Sequence, residues 1–149
     1  MAQKKIIALS GGFDPIHDAH IDLIKHAAQL GEVVIILNSD KWLLKEKGYV
    51  FMEYVRRASI LRSIKYVKRV TPAEDSDGTV CEALSRLEPD MFGNGGPRTE
   101  ENTPEKELCE KLGIELVWDL GYSHHDCSDQ SLVELAFQNL KRLRSKSDE

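Results

Sequence analysis

Short apolar runs alternate along this chain with stretches whose apolar residues recur at helical spacing. Lys4 to Ser10 reads as a buried strand, brief and apolar, stopped by Gly11-Gly12. From Asp18 to Leu30, the residues Ile21, Leu23, Ile24, Ala27, Ala28 and Leu30 trace one helical face, and Gly31 ends it. Val33 to Leu37 is unbroken apolar sequence, as expected of a strand covered on both faces. The alternation continues with a helix over Glu53 to Ile64, a strand at Tyr66 to Val70 and a helix over Thr79 to Leu87. A fourth strand, Asp90-Met91-Phe92, runs into Gly93-Asn94-Gly95-Gly96-Pro97. Thr103 and Pro104, as N-cap and first helical residue, open another helix. Ile114 to Trp118 is the fifth strand, and a last helix runs from about Asp129 to Arg142, leaving Ser145 to Glu149 as a polar tail.

Such alternation requires crossover connections, so the pattern predicts an α/β fold: a parallel sheet of about five strands with helices on both faces. Residues 1–149 contain no repeat, low-complexity tract or linker and read as a single domain. Ligands in such sheets sit outside the carboxyl ends of the strands. That gathers residues 10–20, 38–48, 93–98 and 122–128 around one crevice.

Composition adds exclusions. With 41% hydrophobic and 30% charged residues over 149 positions, the balance is globular. A net charge of -5 argues against a general nucleic-acid surface, although one basic cluster could still hold a few phosphates. The first apolar run is far too short for a leader or a membrane span. The three cysteines, Cys81, Cys109 and Cys127, are widely spaced with no CxxC pair. They argue against a disulfide framework and for a reducing, cytoplasmic setting.

The stretch Gly11-Gly12-Phe13-Asp14-Pro15-Ile16-His17-Asp18-Ala19-His20 follows the first strand directly. Two glycines allow close backbone approach to a ligand, and the helix beginning near Asp18 aims free N–H groups at the same spot. His17 and His20, three apart on the first turn, can both face the crevice and donate to phosphate oxygens. The pattern resembles the HxGH signature of the cytidylyltransferase-like nucleotidyltransferase superfamily, with Ala19 where the family has glycine. The resemblance implies a Rossmann-like domain and nucleotide contacts at Gly11, Gly12, Phe13 and Asp14.

Three further elements extend it. After an LNSD-like turn at Leu37 to Asp40, family members place lysines in a mobile loop and an arginine on the next helix. Lys45, Lys47 and Arg57 fall at those positions, with Arg56 adjacent, and together could neutralise the triphosphate and the acceptor phosphate. Asp77-Gly78-Thr79-Val80, the glycine-rich loop and Asn102-Thr103-Pro104-Glu105 resemble a bacterial and phage branch with glycerol-3-phosphate cytidylyltransferase-like members. Asn94, Gly95 and Gly96 would then form a base or ribose pocket, with Pro97 replacing the family aspartate. At the start of the last helix the family's basic residue and serine signature are represented by His125 and Ser128. His124 to Cys127 could instead be read as metal-ligating, although adjacent histidines reach one ion only with a distorted turn.

The resemblance implies an enzyme: a nucleotidyltransferase moving CMP, or AMP, from CTP or ATP to a phosphorylated polyol or sugar with loss of pyrophosphate. The glycerol-3-phosphate cytidylyltransferase type is the leading expectation. A sugar-phosphate adenylyltransferase of the heptose-1-phosphate type and a non-catalytic nucleotide-binding module are the alternatives. The phosphate acceptor is already a nucleophile, so positioning and charge stabilisation suffice. Mg²⁺ would arrive with the NTP, with no metal site built from protein ligands. A homodimer is implied; nucleic acid and membrane partners are not.

Overall fold

The computed structural model describes residues 4–95, 98–121 and 129–147. Five strands form one sheet: β1 (Ile6–Gly11), β2 (Glu32–Leu37), β3 (Val67–Pro72), β4 (Met91–Gly95) and β5 (Glu115–Leu120). Their order is β3-β2-β1-β4-β5 and every neighbouring pair is parallel. Helices α1 (Asp18–Ala28), α2 (Asp40–Lys47), α3 (Tyr54–Arg62), α4 (Cys81–Leu87), α5 (Lys106–Leu112) and α6 (Asp129–Ser147) complete the alternation. This is the Rossmann-like arrangement expected from the pattern.

Strand alternation divides the core in two. Ile7 and Leu9 of β1, with Val33, Ile35 and Leu37 of β2, point to the face covered by Ile24 and Ala27 of α1 and Ala58 and Leu61 of α3. Ala8, Ile36 and Phe92 point the other way, onto Ala83 and Leu84 of α4 and Cys109 of α5. The order reverses between β1 and β4, so their carboxyl ends open a crevice bounded by the chain after Gly11 and after Gly95.

Several boundaries differ from the sequence expectation, each for a local reason. Residues 40–47, expected as a loop, form α2: the Ser39 hydroxyl accepts the Trp42 N–H at 3.1 Å, and left-handed Gly48 (φ 84°) closes the last turn. Thr103 does not cap a helix. Its hydroxyl donates to the Thr99 carbonyl, Glu100–Asn102 form a 3-10 turn, and α5 starts at Lys106. Helix α6 continues to Ser147, with the hydroxyls of Ser145 and Ser147 bonding back to the carbonyls of Arg142 and Arg144. Among the described residues no helix is long and apolar enough to cross a membrane.

Gly93 sits in the middle of the sheet, in register with Leu9 and Val117. A Cβ there would lie 2.5 Å from Leu120 Cδ1 and 2.7 Å from Leu9 Cδ2, both in the packed core. Gly93→Ala is therefore expected to cost about 1–3 kcal/mol by overpacking. The check is urea unfolding, in which the midpoint falls while the slope stays unchanged.

Candidate active site

The first turn of α1 fixes both histidines. His17 is the N-cap residue, and its Nδ1 accepts the Ala19 N–H at 3.2 Å; His20 Nδ1 accepts the His17 N–H at 3.2 Å. The result is a reciprocal capping box built from imidazoles. A ring nitrogen that accepts carries no proton, so each neutral ring holds its proton on Nε2. The two rings stack at 3.9 Å between centroids, and the Phe13 ring lies 4.8 Å from His20. Sequence spacing gave the shared face; the tautomer comes only from the capping bonds. Ala19 lies within the first turn in ordinary helical conformation, so the missing glycine leaves no strain there.

The glycines before this turn serve packing. A Cβ on Gly12 would lie 2.7 Å from Leu43 Cδ2, and one on Gly11 would lie 3.0 Å from the Phe13 ring. Phe13 itself is left-handed (φ 50°) and buried. Asp14, expected at the nucleotide, is fully buried, and its carboxylate accepts the N–H groups of Phe51 and Met52 at 2.7 and 2.6 Å. It fastens the first loop to the segment between α2 and α3.

Arg57 is likewise inside the protein, 1% exposed. Its Nη1 donates to the carbonyls of Gly12 (2.9 Å) and Asn38 (2.8 Å), Nε to Met52 (2.8 Å), and Nη2 to the Asp40 carboxylate (2.6 Å). Carbonyls and a carboxylate thus engage all three nitrogens of the arginine expected to help neutralise the phosphates. Neighbouring Arg56 is exposed.

Asp75 is a positioning residue that the sequence reading missed. It accepts from Asn38 Nδ2 (2.9 Å), Ser39 N–H (2.9 Å) and Ser39 Oγ (2.7 Å), joining the loop after β3 to the loop after β2. Burial alone would raise its pKa, but the hydrogen bonds from Asn38 and Ser39 outweigh it and hold the carboxyl below its ordinary value. The accessible signal was an aspartate five residues before Val80 with no hydrophobic neighbour; its partners are 36 and 37 residues away.

A cleft of about 520 Å³ opens between α2 and the loop after β3, lined among others by Lys41, Trp42, Lys45, Asp75, Ser76 and Glu82. The helix separates the two expected lysines. Residues two apart face different sides, whereas Lys41 and Lys45, four apart, share one. Lys45 lines the cleft with Lys41, which the sequence reading passed over, and Lys47 does not. Asn94 turns its amide into the sheet, donating to the carbonyls of Phe92 and Val117 where the β4–β5 register shifts. Gly95 ends β4 at the crevice. Gly96, Pro97, His125 and Ser128, and the 124–127 metal reading, lie outside the described residues. Among the described residues no group of three or more His, Cys, Asp or Glu is placed to hold a metal ion.

Residues 8–118 match the Cytidylyltransferase-like family. The FAD synthase of Thermococcus kodakarensis is 34% identical over 75% of this chain and 76% of its own length, and that of Pyrococcus abyssi is 30% identical over 74% and 75%. The bifunctional protein HldE of Pelobacter propionicus is 31% identical over 76% of this chain, which spans only 24% of that relative. In fold, the chain resembles the lipopolysaccharide core biosynthesis protein of Thermoplasma volcanium, with a TM-score of 0.68 over 81% of this chain and all of that one, at 21% identity.

Arg57→Ala would strand the carbonyls of Gly12, Asn38 and Met52, while the half-exposed Asp40 carboxylate keeps the Tyr54 N–H, so a loss of about 2–4 kcal/mol is expected in urea unfolding. Arg57→Lys should recover only part, since one ammonium cannot span the four acceptors. Asp75, lowered in the folded state, contributes stability in full above the unfolded carboxylate value near 3.9 and loses it as pH falls through its folded value. The stability gap between wild type and Asp75→Asn should therefore narrow below about pH 4, read from unfolding curves at several pH values.

Proposed function

The chain belongs to the cytidylyltransferase-like family, and from that premise we propose that it transfers AMP from ATP to a sugar phosphate with release of pyrophosphate. The observation that carries this reading is the pair of capping bonds at α1, which commits Nε2–H of both His17 and His20 to donation. The acceptor's phosphate oxygen attacks the α-phosphorus in line, a new P–O bond forms, and the bond to the β-phosphate oxygen breaks. The two Nε2–H groups and the N-terminus of α1 would stabilise the charge that builds on the transferred phosphoryl group.

The cleft beside α2 is the proposed acceptor site, and 520 Å³ suits a small phosphorylated metabolite. Lys41 and Lys45 would take its phosphate. Trp42 would offer a flat apolar face, and Ser76 and Glu82 would hydrogen-bond hydroxyl groups, a mixture that fits a sugar better than a flat apolar ring. Adenylyl rather than cytidylyl transfer is favoured by the FAD synthases among the relatives, since FAD is an adenylyl ester of a flavin phosphate. CMP transfer to a polyol phosphate takes second place.

The carboxylates nearest the crevice fit a cation that arrives with the triphosphate. Asp14, Asp40 and Asp75 already accept from N–H groups or Arg57, so Mg²⁺ would be held by phosphate oxygens and water. When bound, it would neutralise phosphate charge. Arg57, Asp14 and Asp75 are then positioning residues behind the ligand groups.

Pyrophosphate release from ATP and CTP against panels of sugar phosphates, polyol phosphates and FMN tests the reading. Turnover is expected with ATP and a sugar phosphate; no release with any pair would reject it. His17→Ala and His20→Ala should each lower kcat about 10²–10³-fold with nucleotide affinity little changed. Lys45→Ala should raise the acceptor KM and flatten its salt dependence, whereas Lys47→Ala should do neither.

A further inference from the structure

Glu105 is 3% exposed, an uncommon place for a carboxylate. Its Oε1 accepts the N–H of Val80 at 3.2 Å, at the start of α4. Oε2 is buried without a hydrogen-bond partner, and Arg98 Nη1 is 3.6 Å away. A buried carboxylate oxygen lacking a donor is costly unless a cation faces it. At 3.6 Å the guanidinium is held by charge rather than by a hydrogen bond, and the Arg98 side chain stays 39% exposed.

Arg98 stands at the carboxyl end of β4. It follows β4 by three residues, and its N–H donates to the Gly95 carbonyl at 3.1 Å, turning the chain at the crevice end of the sheet. Arg57 is committed to the interior, and Lys41 and Lys45 line the cleft on the β3 side. A guanidinium fork matches phosphate oxygens in pairs, and one backed by a fixed carboxylate loses less freedom on binding. We infer that Arg98 binds the triphosphate of the nucleotide and that buried Glu105 is the positioning residue that aims it. The inference rests on the nucleotidyltransferase reading above. Through Val80, the same carboxylate also reaches the loop that carries Asp75 and Ser76, so one buried group braces both sides of the site.

The test is ATP and AMP affinity by calorimetry on the full chain, with steady-state kinetics beside it. Arg98→Gln should weaken ATP about 10- to 100-fold and AMP far less. Glu105→Gln keeps an acceptor for Val80 and removes the charge; it should raise the ATP KM about fivefold or more with kcat retained. In the double variant the Glu105→Gln effect on ATP should vanish, because it acts through Arg98. ATP binding by wild type and Arg98→Gln alike would overturn the proposal while leaving the nucleotidyltransferase reading intact. A Glu105→Gln effect that persists undiminished in the Arg98→Gln background would reduce Glu105 to a structural role and overturn its half. If Glu105→Gln fails to fold, Arg98→Gln, altered at a half-exposed side chain, decides the matter alone. No ATP binding by the wild type would overturn both readings.

Discussion

The crevice depends on one buried cation. Arg57 reaches from α3 under the loops that follow β1 and β2, and collects carbonyls from Gly12, Asn38 and Met52 together with the carboxylate of Asp40. Loop carbonyls turned inward need donors, and a single guanidinium supplies several in one plane. Asp14 and Asp75 repeat the device with opposite sign. One gathers the N–H groups of Phe51 and Met52, the other those of Asn38 and Ser39. Three ionised side chains thus stitch loops that the sheet leaves loose at its carboxyl edge. Buried Arg57 and Asp14 and half-buried Asp75 are each held by hydrogen bonds, which is what makes charge tolerable there.

On that frame the histidines are aimed by backbone. Each gives its Nδ1 to an N–H of the α1 terminus, so each ring's orientation and tautomer follow from capping the helix. Helix start and site are the same few atoms. The same economy holds at Gly12, whose missing side chain lets Leu43 of α2 approach and so places Lys41 and Lys45 beside the crevice.

Family resemblance had located these segments while leaving their division of labour open. Residues that travel together in a motif do different things: His17 and His20 cap the start of α1, whereas Asp14 of the same stretch and Arg57 of the next helix tie the loops together. Lys45 and Lys47 share a motif and not a helix face. The relatives include FAD synthases of nearly matching extent and a bifunctional protein of which this chain spans about a quarter.

The sequence by itself determined the parallel α/β alternation, because buried strands and amphipathic helices have different hydrophobic periods and Gly11-Gly12 and Gly31 mark their ends. It also marked the strand end and histidine-capped helix start of the candidate site, since a strand running into glycines and then a histidine-bearing helix start is a local signal. Helix α2 was hidden because only Leu43 of its contiguous apolar trio is buried, which gives no periodicity to read, although Ser39 and Gly48 were its caps. The roles of Asp14, Arg57, Asp75 and Glu105 were decided only by tertiary structure. Their partners lie 17 to 45 residues away, apart from Arg57's bond to Met52 and the Glu105–Arg98 pair. A charged residue in a sequence looks the same whether it faces water, a phosphate or a ring of carbonyls; only the fold brings those carbonyls to it.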